Sequence, residues 1–170
     1  IPDILSLPAD KARPHELSYK GARYHYTLSR ATKEQLNALS QEQGTSLFMT
    51  LLAIFQILLY RYTGQPNIVV GSPIANRHYQ EIEGLIGFFV NSLALKITFE
   101  KHESFLDILH KVRQTTLQAY QHQDVPFEQL VDHLNIERRL NRNPVFQTLF
   151  VLQNANENRG GGLNFQDLRV

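Results

Sequence analysis

The sequence predicts an α/β fold in which a mixed sheet is flanked by helices, and three observations carry that expectation. Residues 47–60 are apolar on nearly every side of a helix, so the helix should be buried on most faces. Ile68-Val69-Val70-Gly71-Ser72-Pro73 follows as a continuous apolar run ended by its own breakers, the pattern of a strand covered on both faces in a β-α-β type arrangement. From Val90 onward the residues alternate instead. Val90, Ser92, Ala94 and Lys96 share one side; Asn91, Leu93, Leu95 and Ile97 share the other. That period of two is a strand.

Composition limits what the chain can be. At 170 residues it fits one domain or one lobe of a larger one, with enough length for a sizeable core. Hydrophobic content of 42% against 19% charged residues describes a globular chain. The net charge is +1 with no basic run, so nothing marks a nucleic acid or a membrane surface as partner. There are no cysteines, which excludes a disulfide framework and thiol catalysis and is compatible with cytoplasmic residence. The histidines form no metal-ligand spacing, and no metal is expected. No signal peptide is legible. The opening Ile1-Pro2-Asp3, without an initiator methionine, reads as a cut from something longer. The apolar helix is not a membrane span, because it falls short of ~20 residues and Gln56 interrupts it.

In chain order, 1–21 reads as an extended linker, since Pro8 and Pro14 disfavour helix in the residues before them. Arg23-Tyr24-His25-Tyr26-Thr27-Leu28 reads as a strand by its aromatic and β-branched content. Thr32 and Gln35 form a capping-box pattern that opens a helix over 33–43, stopped by Gly44. Thr45 or Ser46 opens the apolar helix, and Gly64-Gln65-Pro66-Asn67 turns the chain into the apolar strand. Residues 76–83 form a polar loop or short helix. Ser104 caps a third helix whose Phe105, Ile108, Leu109, Val112, Thr116, Ala119 and Tyr120 make one stripe. Asp124 caps a short helix with Pro126 in its first turn. Residues 138–144 are a charged loop, 145–153 a strand, and 163–165 the opening of one more strand after a glycine-rich stretch.

The chain is organised around Gly84-Leu85-Ile86-Gly87-Phe88-Phe89-Val90-Asn91-Ser92. Two glycines three residues apart let the backbone turn or approach another segment closely. Phe88 and Phe89 are too large to leave in water without reason. Asn91 stands as a lone amide at the mouth of a strand, on the side of the leucines. Buried there, it must be hydrogen-bonded or cost about 1–3 kcal/mol. On periodicity alone this is a glycine turn feeding a core strand.

Two further groups invite a functional reading. His122-Gln123-Asp124 has the residue types of a catalytic pair, but Gly71-Ser72-Pro73 is not a nucleophile elbow, and the residues favour a structural role. Arg138, Arg139 and Arg142 have the chemistry to grip a phosphate; a solvated loop with one arginine tying down a carboxylate is the simpler reading.

Ile86-Gly87-Phe88-Phe89-Val90-Asn91-Ser92 resembles the IGxFVNT motif of condensation domains from non-ribosomal peptide synthetases. His122-Gln123-Asp124-Val125-Pro126-Phe127-Glu128 is similar to the family's (H/N)QDYPFE motif, with Val125 in place of tyrosine. The segment from Arg138 to Val145 resembles RDxSRNPL: Arg139 stands where the family has aspartate and Asn141 where it has serine, while Arg142-Asn143-Pro144 is intact. Leu7-Pro8-Ala9-Asp10-Lys11-Ala12-Arg13-Pro14 is similar to the segment joining the two lobes of such a domain. The motifs occur in family order with family-like spacing and cover most of the chain.

The resemblance implies the C-terminal lobe of a two-lobed, chloramphenicol acetyltransferase-like fold, with 1–21 as inter-lobe linker and 22–170 as the lobe. Gly87, Phe89, His122, Asp124, Pro126, Phe127, Arg142, Asn143 and Pro144 would be structural motif residues, and Asn91 and Ser72 would face the substrate tunnel. The family's catalytic His-His-x-x-x-Asp-Gly lies in the other lobe, and this chain has no His-His pair. The fragment alone is therefore expected to be inactive. The whole domain would form amide bonds between thioesters on peptidyl carrier proteins, with their phosphopantetheine arms but no directly bound cofactor. Partners would be the N-terminal lobe, carrier proteins and an adjacent adenylation domain. A non-catalytic docking module for a carrier protein or neighbouring domain, or a lobe of a stand-alone acyltransferase, would fit the same lobe.

Overall fold

The computed structural model describes residues 4–16, 20–77, 80–136 and 140–153. The first helix, α1 (Arg30–Glu42), begins earlier than expected, because Ser29 is the cap and not Thr32. The Ser29 hydroxyl accepts from the Thr32 amide at 3.1 Å, and the earlier start lets Arg30 pair with Glu34 one turn on, at 2.7 Å. The helix stops before Gly44, at φ 60°. The second helix, α2 (Leu47–Thr63), is capped by Ser46 and ends at Gly64, whose N–H donates to the Tyr60 carbonyl. Its Leu52 and Ala53 are fully buried. Ile54, Leu58 and Tyr62, four residues apart along one side, are exposed, so an apolar circumference does not here mean burial all round.

Strand β1 (Asn67–Ile74) pairs antiparallel with β2 (Asn91–Thr98), in register from Asn67↔Thr98 to Ile74↔Asn91. The short helix α3 (Gln80–Glu83) lies on the excursion between them. The other edge of β1 meets the chain again after α4 (Phe105–Gln121) and α5 (Phe127–His133). There the Gly71 amide donates to the Thr148 carbonyl and the Phe150 amide to the Gly71 carbonyl, both at 2.9 Å, in a parallel bridge between Gly71 and Leu149. Antiparallel on one edge and parallel on the other, the sheet is mixed. Gly71 has to be glycine for this, because a Cβ there would collide with the Phe146 ring.

Both faces of β1 are covered. Ile68 and Val70, with Leu93, Leu95 and Ile97 of β2, join the core made with α2 and α4. Val69 turns the other way and packs with Val131 of α5, Val145 and Phe146; Ala94 and Phe127 lie against the same cluster. The expected stripe of α4 is buried at Ile108, Leu109, Val112 and Thr116, and Tyr120 at its end stays partly exposed. Gln56, fully buried in α2, donates to the Leu95 carbonyl at 3.0 Å.

Several expectations are corrected. Residues 23–28 form no strand; Tyr24 is 91% exposed, and Tyr26 and Leu28 are also open to solvent. High β-propensity makes no ladder without a second backbone to bond. The β-α-β arrangement changes accordingly, since the parallel neighbour of β1 follows the helices instead of preceding α2. The strand expected over 145–153 shrinks to the bridge at Leu149, after Val145 at φ 66°, a left-handed conformation that interrupts an extended run. Helix α5 is capped by Pro126 rather than opened by Asp124. Residues 158–162 and 163–165 lie outside the described residues.

The N-terminal segment is irregular and laid along the body. The amide of Leu5 donates to Gln147 Oε1 at 2.8 Å and that of Ser6 to Gln65 Oε1 at 2.7 Å. Farther on, Arg13 donates to the Asn141 carbonyl at 3.3 Å, and Asn141 Nδ2 to the Pro14 carbonyl at 3.0 Å. Among the described residues no single helix is long and apolar enough to cross a membrane.

Candidate functional site

Asn91 opens β2 opposite Ile74, the last rung of the ladder. Its Nδ2 donates to the carbonyls of Gln123 and Val125, each at 2.8 Å. Its Oδ1 accepts from the Ser92 amide at 2.9 Å and from the Phe127 amide at 3.1 Å. Two donors and two lone pairs are the full capacity of a side-chain amide. All four go to backbone, three of them to the turn 123–127. The turn is tied back to the end of α4 by the Val125 amide donating to the His122 carbonyl at 3.2 Å. Phe127, at its end, packs its ring 5.1 Å from that of Phe146.

The residues of the first motif divide around Asn91. Phe89 is half-buried beneath the Arg77 guanidinium, 4.2 Å from its ring centroid, and Arg77 also donates to the Ile82 carbonyl. Gly87 lies against that ring, where a Cβ would stand 2.9 Å from it; among the described residues nothing beyond its chain neighbours would lie within 4 Å of a Cβ at Gly84. Phe88 is 91% exposed and Ile86 fully so, so of the two phenylalanines too large to leave in water without reason, Phe88 is left there. Leu85 and Val90 are exposed beside them, as is Val125 in the turn that Asn91 holds.

Ser72 is 5% exposed and faces the same way as Ile68 and Val70 in β1, opposite Leu93. His122 and Asp124 are both exposed, His122 as the C-terminal cap of α4. Arg138 and Arg139 lie outside the described residues. Arg142 is half-buried, with its Nε sealed from solvent and without a hydrogen bond among the described residues. Asn143 accepts from Gln147 Nε2 on its carbonyl at 3.2 Å, and Pro144 accepts from the Phe146 amide at 2.7 Å. These bonds hold the turn that delivers Phe146 to Gly71. Asn91 and Phe127 are thus brought together, while Arg142, Asn143 and Pro144 are linked to them through the Phe146–Phe127 contact.

Charge is concentrated at the far end of β2. Lys111 pairs with Glu103 at 2.5 Å and Glu100 at 3.1 Å, and beside it runs a polar groove of about 350 Å³ lined also by Lys96, Thr98 and Gln114. The bond from Lys111 holds the Glu103 carboxyl below its ordinary range, and the two glutamates raise the Lys111 ammonium. Bonds from the Ser104 hydroxyl and amide lower Asp107 in the capping box of α4. Among the described residues no cluster of His, Cys, Asp or Glu is arranged to hold a metal ion.

Sequence reasoning missed the partners of Asn91, because contacts across more than thirty residues leave no local period. It also took Gln56 only as an interruption of the apolar run, although a lone amide in an apolar helix is the signal of a buried hydrogen bond.

The model of the condensation-domain family matches residues 2–167. A linear gramicidin synthase from Brevibacillus parabrevis is 55% identical over 151 residues, 89% of this chain but 2% of that protein's length. A holo four-domain nonribosomal peptide synthetase, solved with AMP and glycine bound, superposes with a TM-score of 0.88 at 24% identity, over 92% of this chain and 12% of the other. The X-domain from teicoplanin biosynthesis superposes with a TM-score of 0.83 at 26% identity, over 88% of this chain and 33% of the other. This chain thus spans a small part of its full-length relatives and about a third of the X-domain chain.

Proposed function

Since the chain belongs to the condensation-domain family, we propose that 22–170 is the C-terminal lobe of a complete condensation domain, entered through 1–21 as the inter-lobe linker. The match along nearly the whole chain carries this reading, and the three motifs meeting around β1 and the mouth of β2 support it. In the complete domain an acceptor amine on one carrier-protein arm attacks the thioester carbonyl on another. A C–N bond forms, the C–S bond breaks, the phosphopantetheine thiol leaves, and the amine gives up a proton. The oxygen that gains charge on the way needs preorganised donors. The catalytic histidines belong to the other lobe; this lobe supplies one wall of the tunnel, with Asn91 and Ser72 in that wall. No cofactor is bound directly, and the phosphopantetheine arms arrive with the substrates.

The N-terminal lobe is the partner that the exposed Ile86 and Phe88 await. Peptidyl carrier proteins and an adjacent adenylation domain complete the assembly, which works in the cytoplasm. The test uses loaded donor and acceptor carrier proteins. The complete domain should make the amide, and this chain alone should not exceed spontaneous aminolysis. Asn91→Ala in the complete domain should lower single-turnover condensation roughly 10–100-fold, about 1.4–2.7 kcal/mol. Turnover by the chain alone, or full activity of Asn91→Ala, would overturn the reading.

A further inference from the structure

We propose that Asn91 is a positioning residue that joins the neck of one loop to the crest of another. The chain leaves the sheet at Ile74 and returns at Asn91, and these two residues face each other on the last rung. The exposed apolar 84–90 therefore re-enters the sheet at that rung. The Asn91 side chain ties that point to the turn 123–127 through two carbonyls and one amide. Val90 and Val125, both exposed, are backbone neighbours of this knot, one adjacent to Asn91 and the other bonded to it. Asn91 thus fixes where the exposed Val125 stands relative to the apolar stretch 84–90. Its amide, with every valence committed to backbone, has none left for a substrate carbonyl. This deepens the tunnel-wall reading by giving Asn91 a cargo, and its test does not depend on amide formation.

Site-resolved hydrogen exchange on the complete condensation domain separates the bonds. In Asn91→Ala, exchange at the Phe127 amide should accelerate at least tenfold, while Leu95 and Ile97 in the middle of β2 stay protected. Asn91→Asp keeps an acceptor for Phe127 but turns a second, charged oxygen toward the Gln123 and Val125 carbonyls. Phe127 should then remain protected while the Val125 amide, which ties the turn back to the end of α4, loosens at neutral pH. A carboxyl facing two carbonyls is favoured in its protonated form, and the proton restores one donor. Lowering the pH from about 7 to about 5 should therefore raise the protection factor at Val125 in Asn91→Asp and leave the wild type unchanged. Should Asn91→Ala fail to fold, Asn91→Asp decides alone through that pH profile. Unchanged exchange at Phe127 in the alanine variant, or a flat pH response in the aspartate variant, would overturn the inference.

Discussion

Two stretches of similar apolar character meet at Asn91 and end in opposite circumstances. Leu93, Leu95 and Ile97, just after it, are buried against α2 and α4, while Leu85, Ile86, Phe88 and Val90, just before it, face solvent. The difference lies in the backbone. After Asn91 the chain has β1 to bond with, so every second side chain is directed inward; before it the chain has no ladder and no imposed direction. Hydrophobicity states that a residue gains from burial, and only pairing states where.

The largest effect should come from the buried side. Leu52→Ala removes a fully buried side chain from α2 and should cost about 2–5 kcal/mol, read from a denaturant midpoint. In hydrogen exchange α2 should also be the most protected helix. Rapid exchange along it would erase the contrast, because its exposed Ile54, Leu58 and Tyr62 would then outweigh its buried face.

A smaller effect concerns the end of β2 remote from Asn91. Glu103 and Asp107 sit below their ordinary values of 4.5 and 3.8, so each stabilises the fold at higher pH and loses that contribution as acid protonates it. Stability should hold above about pH 5 and decline below about pH 4.5, in the range of those carboxyls. Ser104→Ala should remove about 1 kcal/mol and flatten the acid decline, since Asp107 loses the bond that lowers it most. A thermal-melt series against pH measures both.

The smallest effect should come from the open side. Phe88→Ser in this chain should change stability by less than about 0.5 kcal/mol, as for a surface position. In the complete domain the same substitution should lower the melting temperature measurably if the other lobe covers the ring. Equal, negligible shifts in both would leave Phe88 a surface residue there as well.

How much was legible in the sequence follows the same division. The stripe of α4 and the alternation of β2 were readable because a period repeats often enough to exclude other structures. The start of α1 was not, since Ser29 and Thr32 are both good caps and the Arg30–Glu34 pair favours the earlier one. Residues 23–28 misled because propensity is local and pairing is not. At the candidate site, Asn91 was readable as an amide in need of partners, and their identity depended on a turn more than thirty residues away. Gly71 inside an apolar strand carried its signal openly, yet the ring that fills its place comes from Phe146.

The bridge at Gly71 also has a consequence during synthesis on the ribosome. β1 and β2 can pair as soon as Thr98 has emerged, but the second edge of β1 must wait for Thr148 and Phe150. Through that interval the nascent chain carries an open strand edge and a vacancy beside Gly71 that the Phe146 ring will later occupy. Long-range parallel pairing forms late, and an unpaired apolar edge is what a second nascent chain or a chaperone would engage. Truncation before Val145 should therefore yield a chain that is held or aggregated, while the same strands closed by Phe146 are released.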